Sequence, residues 1–244
     1  MAINTDKGIR GMVGKAVFYI VKGRNLIRSK PGKRKKKRGQ KPNPINTIFG
    51  TVSTYGTRLI SSMRDSFLFP FTIETYNHSR GWMRDQYAAN HEADIWELRT
   101  QNNLMSQLNP EADLRDFWGI PITVSDAGGW VVHIGLPAFN PAKDLKVPLR
   151  TVKINLKMIL VCSPFADGDW SISMEQYQFD YGENILPAKT ISIDSKYWDK
   201  KQKGLIALVV LALEFETEDS GKGKYNTDTR WLPAAIVAMG RLKD

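Results

Sequence analysis

The sequence predicts a mainly β protein: an antiparallel β-sandwich, with the jelly roll among its forms, preceded by a basic arm and one or two helices. Three observations predict this. From Ile120 onward, apolar and polar residues alternate with a period of two, and turn signals separate the runs. One stretch after Asn43-Pro44 keeps a helical period instead. The basic excess is confined to the first fifth of the chain. The expected division is a basic, Gly-rich arm over 1–42, a helical region over 43–118 and a β-sandwich domain over 119–244.

Composition sets the outer bounds. The chain has 244 residues, enough to bury a core without staples. With 42% apolar and 25% charged residues it is too apolar for wholesale disorder. Cys162 stands alone, which excludes an intramolecular disulfide framework and a multi-Cys zinc site. The three histidines, His78, His91 and His133, leave little material for a metal centre, so no metal or cofactor is expected. No apolar run approaches the ~18 residues of a membrane helix, so no membrane span is expected. The N-terminus lacks the layout of a signal peptide.

The charge is divided along the chain. Residues 1–50 hold 14 Lys or Arg against the single acid Asp6, a charge of +13. The remaining 21 bases and 24 acids leave −3. The densest part, Lys33-Arg34-Lys35-Lys36-Lys37-Arg38, lies between Pro31-Gly32 and Gly39-Gln40-Lys41-Pro42. Six adjacent cations repel one another and cover no apolar surface, so this run is expected to be extended and solvated. Phosphates change the balance, because each one neutralised releases condensed counterions without regard to base sequence. Arg24, Arg28, Lys30, Lys33, Arg34, Lys35, Lys36, Lys37, Arg38 and Lys41 are therefore the candidate nucleic-acid-binding residues. The blander reading of such a run is a solubilising tail or a transport signal.

The segment before the run has glycines at 8, 11 and 14. Gly14-Lys15 invites comparison with a phosphate-binding P-loop, but that pattern needs Gly at 9 and Ser or Thr at 16, where Ile9 and Ala16 stand. Ile9, Met12, Val13, Ala16, Val17 and Ile20 fit one helical face, while Ala16 to Val21 also reads as a strand. Both readings stay open. In either, an apolar lead segment calls for a docking surface on the body, on a neighbouring subunit or, least well matched, on a membrane.

Lys7-Gly8-Ile9, Gly11, Gly14-Lys15, Lys22-Gly23 and Ile27-Arg28-Ser29 before Pro31 resemble the opening of an uncharacterised family of small β-rich proteins found in Bacteroidota. The resemblance covers about 25 residues, and the Lys/Arg run departs from it. It implies a β-rich fold and carries no activity with it.

Asn43-Pro44 is a helix start, with Asn as N-cap and Pro at the first helical position. Ile45, Ile48, Phe49, Val52, Tyr55, Leu59, Ile60 and Met63 then return to one face, opposite small and polar residues. A second helical stretch is expected from about Ser79 to Leu108, broken near Asn90, with Asn109-Pro110 as its stop. His91-Glu92 at the break reads as cap chemistry, since no second histidine lies at i+4.

In the β body, Ile122 and Val124 lead into the Ser125–Gly129 turn, and Trp130 to Gly135 returns. Val152 to Cys162 is a long strand whose Lys153, Asn155 and Lys157 suggest a wet face, with Cys162 as a buried thiol on the other. Trp170 to Tyr181 and Lys189 to Asp194 follow. Leu205 to Phe215 is apolar on both faces, which marks a central strand. After the polar stretch 218–224, Trp231 to Met239 closes the sheet, and Pro233 suggests an edge.

No catalytic constellation emerges. Asp167 and Asp169 sit in a Gly-containing turn, and Glu214 and Glu216 read as a solvated strand exit. There is no Gly-x-Ser-x-Gly elbow and no His-Glu-x-x-His. Most of the seven tryptophans are expected to be core anchors. The sequence thus points to a non-enzymatic structural protein, organised like a viral coat, which self-associates and holds RNA or DNA without sequence preference. Its place would be a virion or the cytoplasm. A monomeric cellular nucleic-acid-binding or ribosome-associated protein is the alternative, and a bacterial surface assembly protein is the third class.

Overall fold

The structure, a computed structural model, describes residues 2–5, 8–21, 24–30, 44–90, 97–100, 105–163, 170–195, 205–219 and 222–242. The fold is mainly β, with three antiparallel sheets and few helices. The chain forms two compact units, Met1–Pro42 and Asn43–Asp244.

The first unit is a four-stranded antiparallel sheet in chain order: β1 (Ala2–Thr5), β2 (Gly8–Val13), β3 (Ala16–Val21) and β4 (Arg24–Ser29). The choice left open between helix and strand falls to strand. A helix would carry three glycines at about 1 kcal/mol each relative to Ala. Two of them instead use conformations a helix lacks: Gly11 has φ +122° and Gly14 has φ +58°. Gly14 and Lys15 are the two-residue turn between Val13 and Ala16, and Gly at its first position suits a tight hairpin. The pair that imitates a P-loop is a hairpin turn.

The second unit opens with α1 (Pro44–Met63), which matches the expected helix in place and length, and α2 (Ile73–Asn90). α2 begins and ends earlier than the expected 79–108 stretch. Thr72 and Thr75 exchange hydrogen bonds, each backbone N–H donating to the other's Oγ1 at 3.3 Å, a capping box with Thr in place of the usual Glu or Gln. Between Asn90 and Leu108 the described residues are not helical. β5 (Arg99–Thr100) and β6 (Ser106–Gln107) are short strands. In the stretch expected to be helical, Leu98 and Met105 stand just ahead of β5 and β6, while His91-Glu92 lies outside the described residues.

Then come α3 (Leu114–Phe117), the hairpin β7 (Thr123–Gly128) and β8 (Val131–Leu136), α4 (Pro141–Asp144), and β9 (Thr151–Ser163). They are followed by β10 (Ser171–Asp180), β11 (Lys189–Asp194), β12 (Ile206–Asp219), β13 (Lys222–Tyr225) and β14 (Ala234–Arg241). The large sheet runs β10-β9-β12-β14-β5, with β13 beside β12 and β6 beside β14. The small sheet runs β11-β8-β7. Part of the expected polar loop is therefore β13, folded back on β12 from Glu216↔Tyr225 to Asp219↔Lys222. β14 is not an edge, because β5 and β6 pair with its outer side. Pro233 lies just ahead of the strand, where its missing N–H costs no ladder bond, and its carbonyl accepts from the Leu213 N–H at 3.0 Å.

β12 explains the layering. Ala207, Val209, Leu211 and Leu213 pack toward Val124, Val132, Ile134 and Ile193 of the small sheet. Ile206, Leu208, Val210 and Ala212 pack toward Val52, Leu59, Ile60 and Met63 of α1 and Met83 of α2. The unit has three layers: helices, large sheet, small sheet. The mainly β expectation is met, and two of these layers are antiparallel sheets, of seven and three strands among the described residues. Among the described residues no helix is long and apolar enough to cross a membrane.

One polar cluster interrupts the helix-facing side of the sheet. Glu214 is buried, and its carboxylate takes Lys157 Nζ at 2.5 Å and Asn155 Nδ2 at 3.2 Å. Lys157 Nζ also donates to the Ser66 carbonyl at 3.2 Å. The reading of Glu214 as a solvated exit and of Asn155 and Lys157 as a wet face is corrected here: Lys157 and Asn155 both donate to the Glu214 carboxylate beneath the turn that follows α1, while Asn155 Oδ1 is buried with no hydrogen-bond partner.

Replacing Glu214 with Leu while keeping Lys157 leaves a buried cation unpaired and is expected to cost about 3–5 kcal/mol, whereas Lys157→Met with Glu214→Leu recovers most of the loss. Urea unfolding of the three proteins measures this. Gly240 offers a steric test: a Cβ there would lie 2.4 Å from Leu98 Cα and 2.5 Å from its nitrogen. At Gly56 the obstacle is only the end of the Met83 side chain, at 2.9 Å. Gly240→Ala is expected to lower stability by about 1–3 kcal/mol or more and Gly56→Ala by much less, read from the same unfolding curves.

Candidate nucleic-acid interface

The strand pair β3–β4 positions the described candidate residues. Successive side chains on a strand alternate faces, so Arg24, Leu26 and Arg28 share one face of the sheet. Their cross-strand partners include Tyr19, opposite Leu26, and Val17, opposite Arg28. Arg28 extends over the Tyr19 ring, with its guanidinium carbon 5.4 Å from the ring centroid. Every residue of β4 is exposed, and so is Lys30, whose backbone N–H donates to the Lys15 carbonyl at 2.6 Å. The opposite face presents Ile9, Val13, Phe18, Ile20 and Ile27, with no charged residue among them, and Ile27 is 65% exposed. One side of the sheet is thus apolar at these positions, Phe18 among them, and the other combines Arg24, Arg28 and Tyr19 with Met12, Val17 and Leu26.

Arg24, Arg28 and Lys30 are brought together in this way. Lys33, Arg34, Lys35, Lys36, Lys37, Arg38 and Lys41 lie outside the described residues. Sequence reasoning did not name Tyr19. The usable signal was the strand alternative itself: pairing Ala16–Val21 with Arg24–Ser29 sets Tyr19 opposite Leu26, two residues from each arginine.

The second unit holds the residues weighed for chemistry. Cys162 is fully buried, and desolvation pushes its thiol up to about 12. Beside it Ser171 Oγ and Ser195 Oγ lie 3.0 Å apart. This is a structural thiol. Asp167 and Asp169 fall outside the described residues. A cleft of about 440 Å³ lies beside α2, lined by Glu74, His78, Gln107, Asn109, Asp113 and Arg115 among others. Its carboxylate Asp113 caps α3, accepting the Arg115 N–H at 2.9 Å and the Arg115 Nε at 3.0 Å. The Arg115 hydrogen bonds hold this carboxyl below its ordinary value. Asp228 and Arg230 repeat the arrangement at a 3₁₀ turn, Thr229–Trp231, and the Arg230 hydrogen bond lowers Asp228 likewise. An Asp-x-Arg step thus serves as a helix cap twice, which gives both carboxylates a local structural task.

Among the described residues no group of three or more His, Cys, Asp or Glu could hold a metal ion. Trp118 and Trp130 are buried core residues, Trp82 and Trp231 are half-buried, and Trp170 is exposed; Trp96 and Trp198 lie outside the described residues. No family model, curated protein or solved structure matches the chain.

Burial makes Cys162 a test of the second unit's integrity. The native protein is expected to resist maleimide labelling at pH 8, with one thiol reacting after urea unfolding; mass spectrometry counts the adducts. Because the folded thiol titrates above its unfolded value of 9.0, its ionisation favours the unfolded chain, and this contribution to stability falls as pH rises from about 9 to about 12.

Proposed function

We propose that this is a non-enzymatic assembly protein, organised like a coat protein, that self-associates through its folded body and holds nucleic acid non-specifically with its first 42 residues. The division of charge carries the reading: +13 in residues 1–50 against −3 in the rest. A protein that needed only solubility could spread its charge over the surface. Here the cations are concentrated in the first of two compact units, Met1–Pro42. Arg24 and Arg28 are exposed on its last described strand and Lys30 is exposed just after it.

Such a binder works by neutralising phosphates. With each contact worth a slope of about −0.9 in log K against log salt for duplex DNA, even half of the fourteen basic residues in contact would make affinity fall steeply between low and physiological salt. The second unit has its own apolar cores, so removing residues 1–41 is expected to abolish binding while leaving the body folded.

Fluorescence anisotropy with a labelled duplex, titrated with salt, is expected to give a steep negative slope for the full chain and no binding for the truncated one. A slope near zero, or unchanged binding after truncation, refutes the nucleic-acid part. Light scattering on the size-exclusion peak reads the assembly part, where a strictly monomeric chain, with and without nucleic acid, refutes it.

A further inference from the structure

We propose that the Arg24–Arg28 face of the first unit is a platform for single-stranded nucleic acid, with Tyr19 as the residue on which a base stacks. This rests on the nucleic-acid reading above and specifies its ligand.

The argument is geometric. On β4, Arg24 and Arg28 lie two residues to either side of Leu26, which pairs with Tyr19. At about 3.4 Å per residue each arginine sits about 7 Å along the strand from that pair, and about 14 Å separates the two. Arg24 therefore stands to one side of the ring on the same face, while Arg28, rooted on the other side, reaches over the ring itself. An extended single strand crossing this face can set one base on the ring while the sugar-phosphate on either side of the base reaches an arginine. The Arg28 guanidinium already lies over Tyr19 at 5.4 Å, so ring and guanidinium form a pair of planar groups, and both kinds of plane stack on bases. Leu26 and Met12, 40% and 39% exposed, flank the ring with apolar surface.

The ligand class follows from what stacking requires. A base in a duplex has both faces covered by its neighbours, so a duplex meets this surface through phosphates alone and gains nothing from Tyr19. An unpaired base has a free face, and stacking on an aromatic ring is tolerant of base identity. Among the described strand residues the reverse face, with its Ile9, Val13, Phe18, Ile20 and Ile27, offers no cation to a polyanion, which favours the Arg24–Arg28 side for the strand. An acidic polypeptide would answer the charges but has no flat group for the ring.

The test uses the full chain with labelled oligo(dT) and a duplex of equal length, each titrated with salt, for the wild type, Tyr19→Ala, Tyr19→Phe and Arg24→Gln. Tyr19→Ala is expected to weaken oligo(dT) binding by about five- to a hundred-fold and to leave duplex binding and both salt slopes unchanged. Tyr19→Phe keeps the ring and is expected to bind like the wild type. Arg24→Gln is expected to reduce the oligo(dT) salt slope by about 0.7, the contribution of one phosphate contact. Retained duplex binding by Tyr19→Ala shows that the variant is intact. The platform is refuted if Tyr19→Ala binds oligo(dT) like the wild type, if it loses both ligands equally, or if poly-glutamate competes as well as oligo(dT) of equal charge. Steep, salt-sensitive binding of both ligands with no effect at Tyr19 refutes the platform and leaves the wider reading standing; a wild type that binds neither ligand refutes both.

Discussion

From 205 to 213, β12 carries buried apolar side chains on both of its faces, and the architecture of the second unit follows from covering them. A sheet with one wet face could close as a hairpin stack. A strand with two dry faces needs a layer on each side, as parallel sheets in α/β proteins do. α1 and α2 supply one layer and the small sheet the other. The register shift between Val209 and Val210 adjusts β14 to this strand: Val209 faces Ala238 while Val210 faces Ile236, so Val237 is the extra residue, and both Val237 and Ala238 join the core toward the small sheet. β5 then ties the two sheets at one corner, where the Val124 N–H donates to Thr100 Oγ1 at 2.7 Å.

The first unit meets a different constraint. Four strands without a helix need a hydrophobic face to be stable at all. Ile9, Val13, Phe18, Ile20 and Ile27 lie on one side, while Val17 and Leu26 share the other with Tyr19, Arg24 and Arg28. Period-two alternation makes that possible in six residues of β4, where a helix would need a longer segment to separate the two kinds of residue. The second unit, with 21 bases and 24 acids, is close to balanced, and its Lys157–Glu214 pair, in which Glu214 is buried, is internally neutral.

Elements whose signals are local were legible in the sequence. Asn43-Pro44 and a regular stripe mark α1, and the strand signals mark β8 to β11 within a residue or two, whereas β7 runs through Gly128, across most of the expected Ser125–Gly129 turn, and β12 continues to Asp219, four residues past the expected Phe215. Elements that depend on a distant partner were not. β5 and β6 are two residues each, too short for any period, and exist because β14 pairs with them. α2 buries a narrow stripe of Thr75, Ser79 and Met83, nearly invisible to hydrophobicity, and starts with Thr72 and Thr75 as reciprocal caps. Its small residues allow close packing on α1, where Gly56 faces Met83. At the candidate site the cations were plain, but Tyr19 became part of it only through cross-strand register. Asn155, Lys157 and Glu214 misled because each is polar at a strand position that normally faces water; only pairing across β9 and β12 shows that they meet.

That cluster marks where the helix layer ends. Along the helix-facing side, β9 changes from Val161 and Ile159 to Lys157 and Asn155, and β12 changes from Val210 and Ala212 to Glu214. At the same level the chain leaves α1 at Met63 and turns through Arg64–Ser66, and the Ser66 carbonyl receives Lys157. A buried ion pair adds little stability over apolar residues of similar volume. Its effect is positional. If α1 slid by one turn along the sheet, about 5.4 Å, the Ser66 carbonyl would leave Lys157 and apolar side chains of the helix would cover a buried charge. An all-apolar surface would accept either placement. The polar triplet therefore sets the register of the helices on the large sheet, and with it the side of the second unit on which they lie.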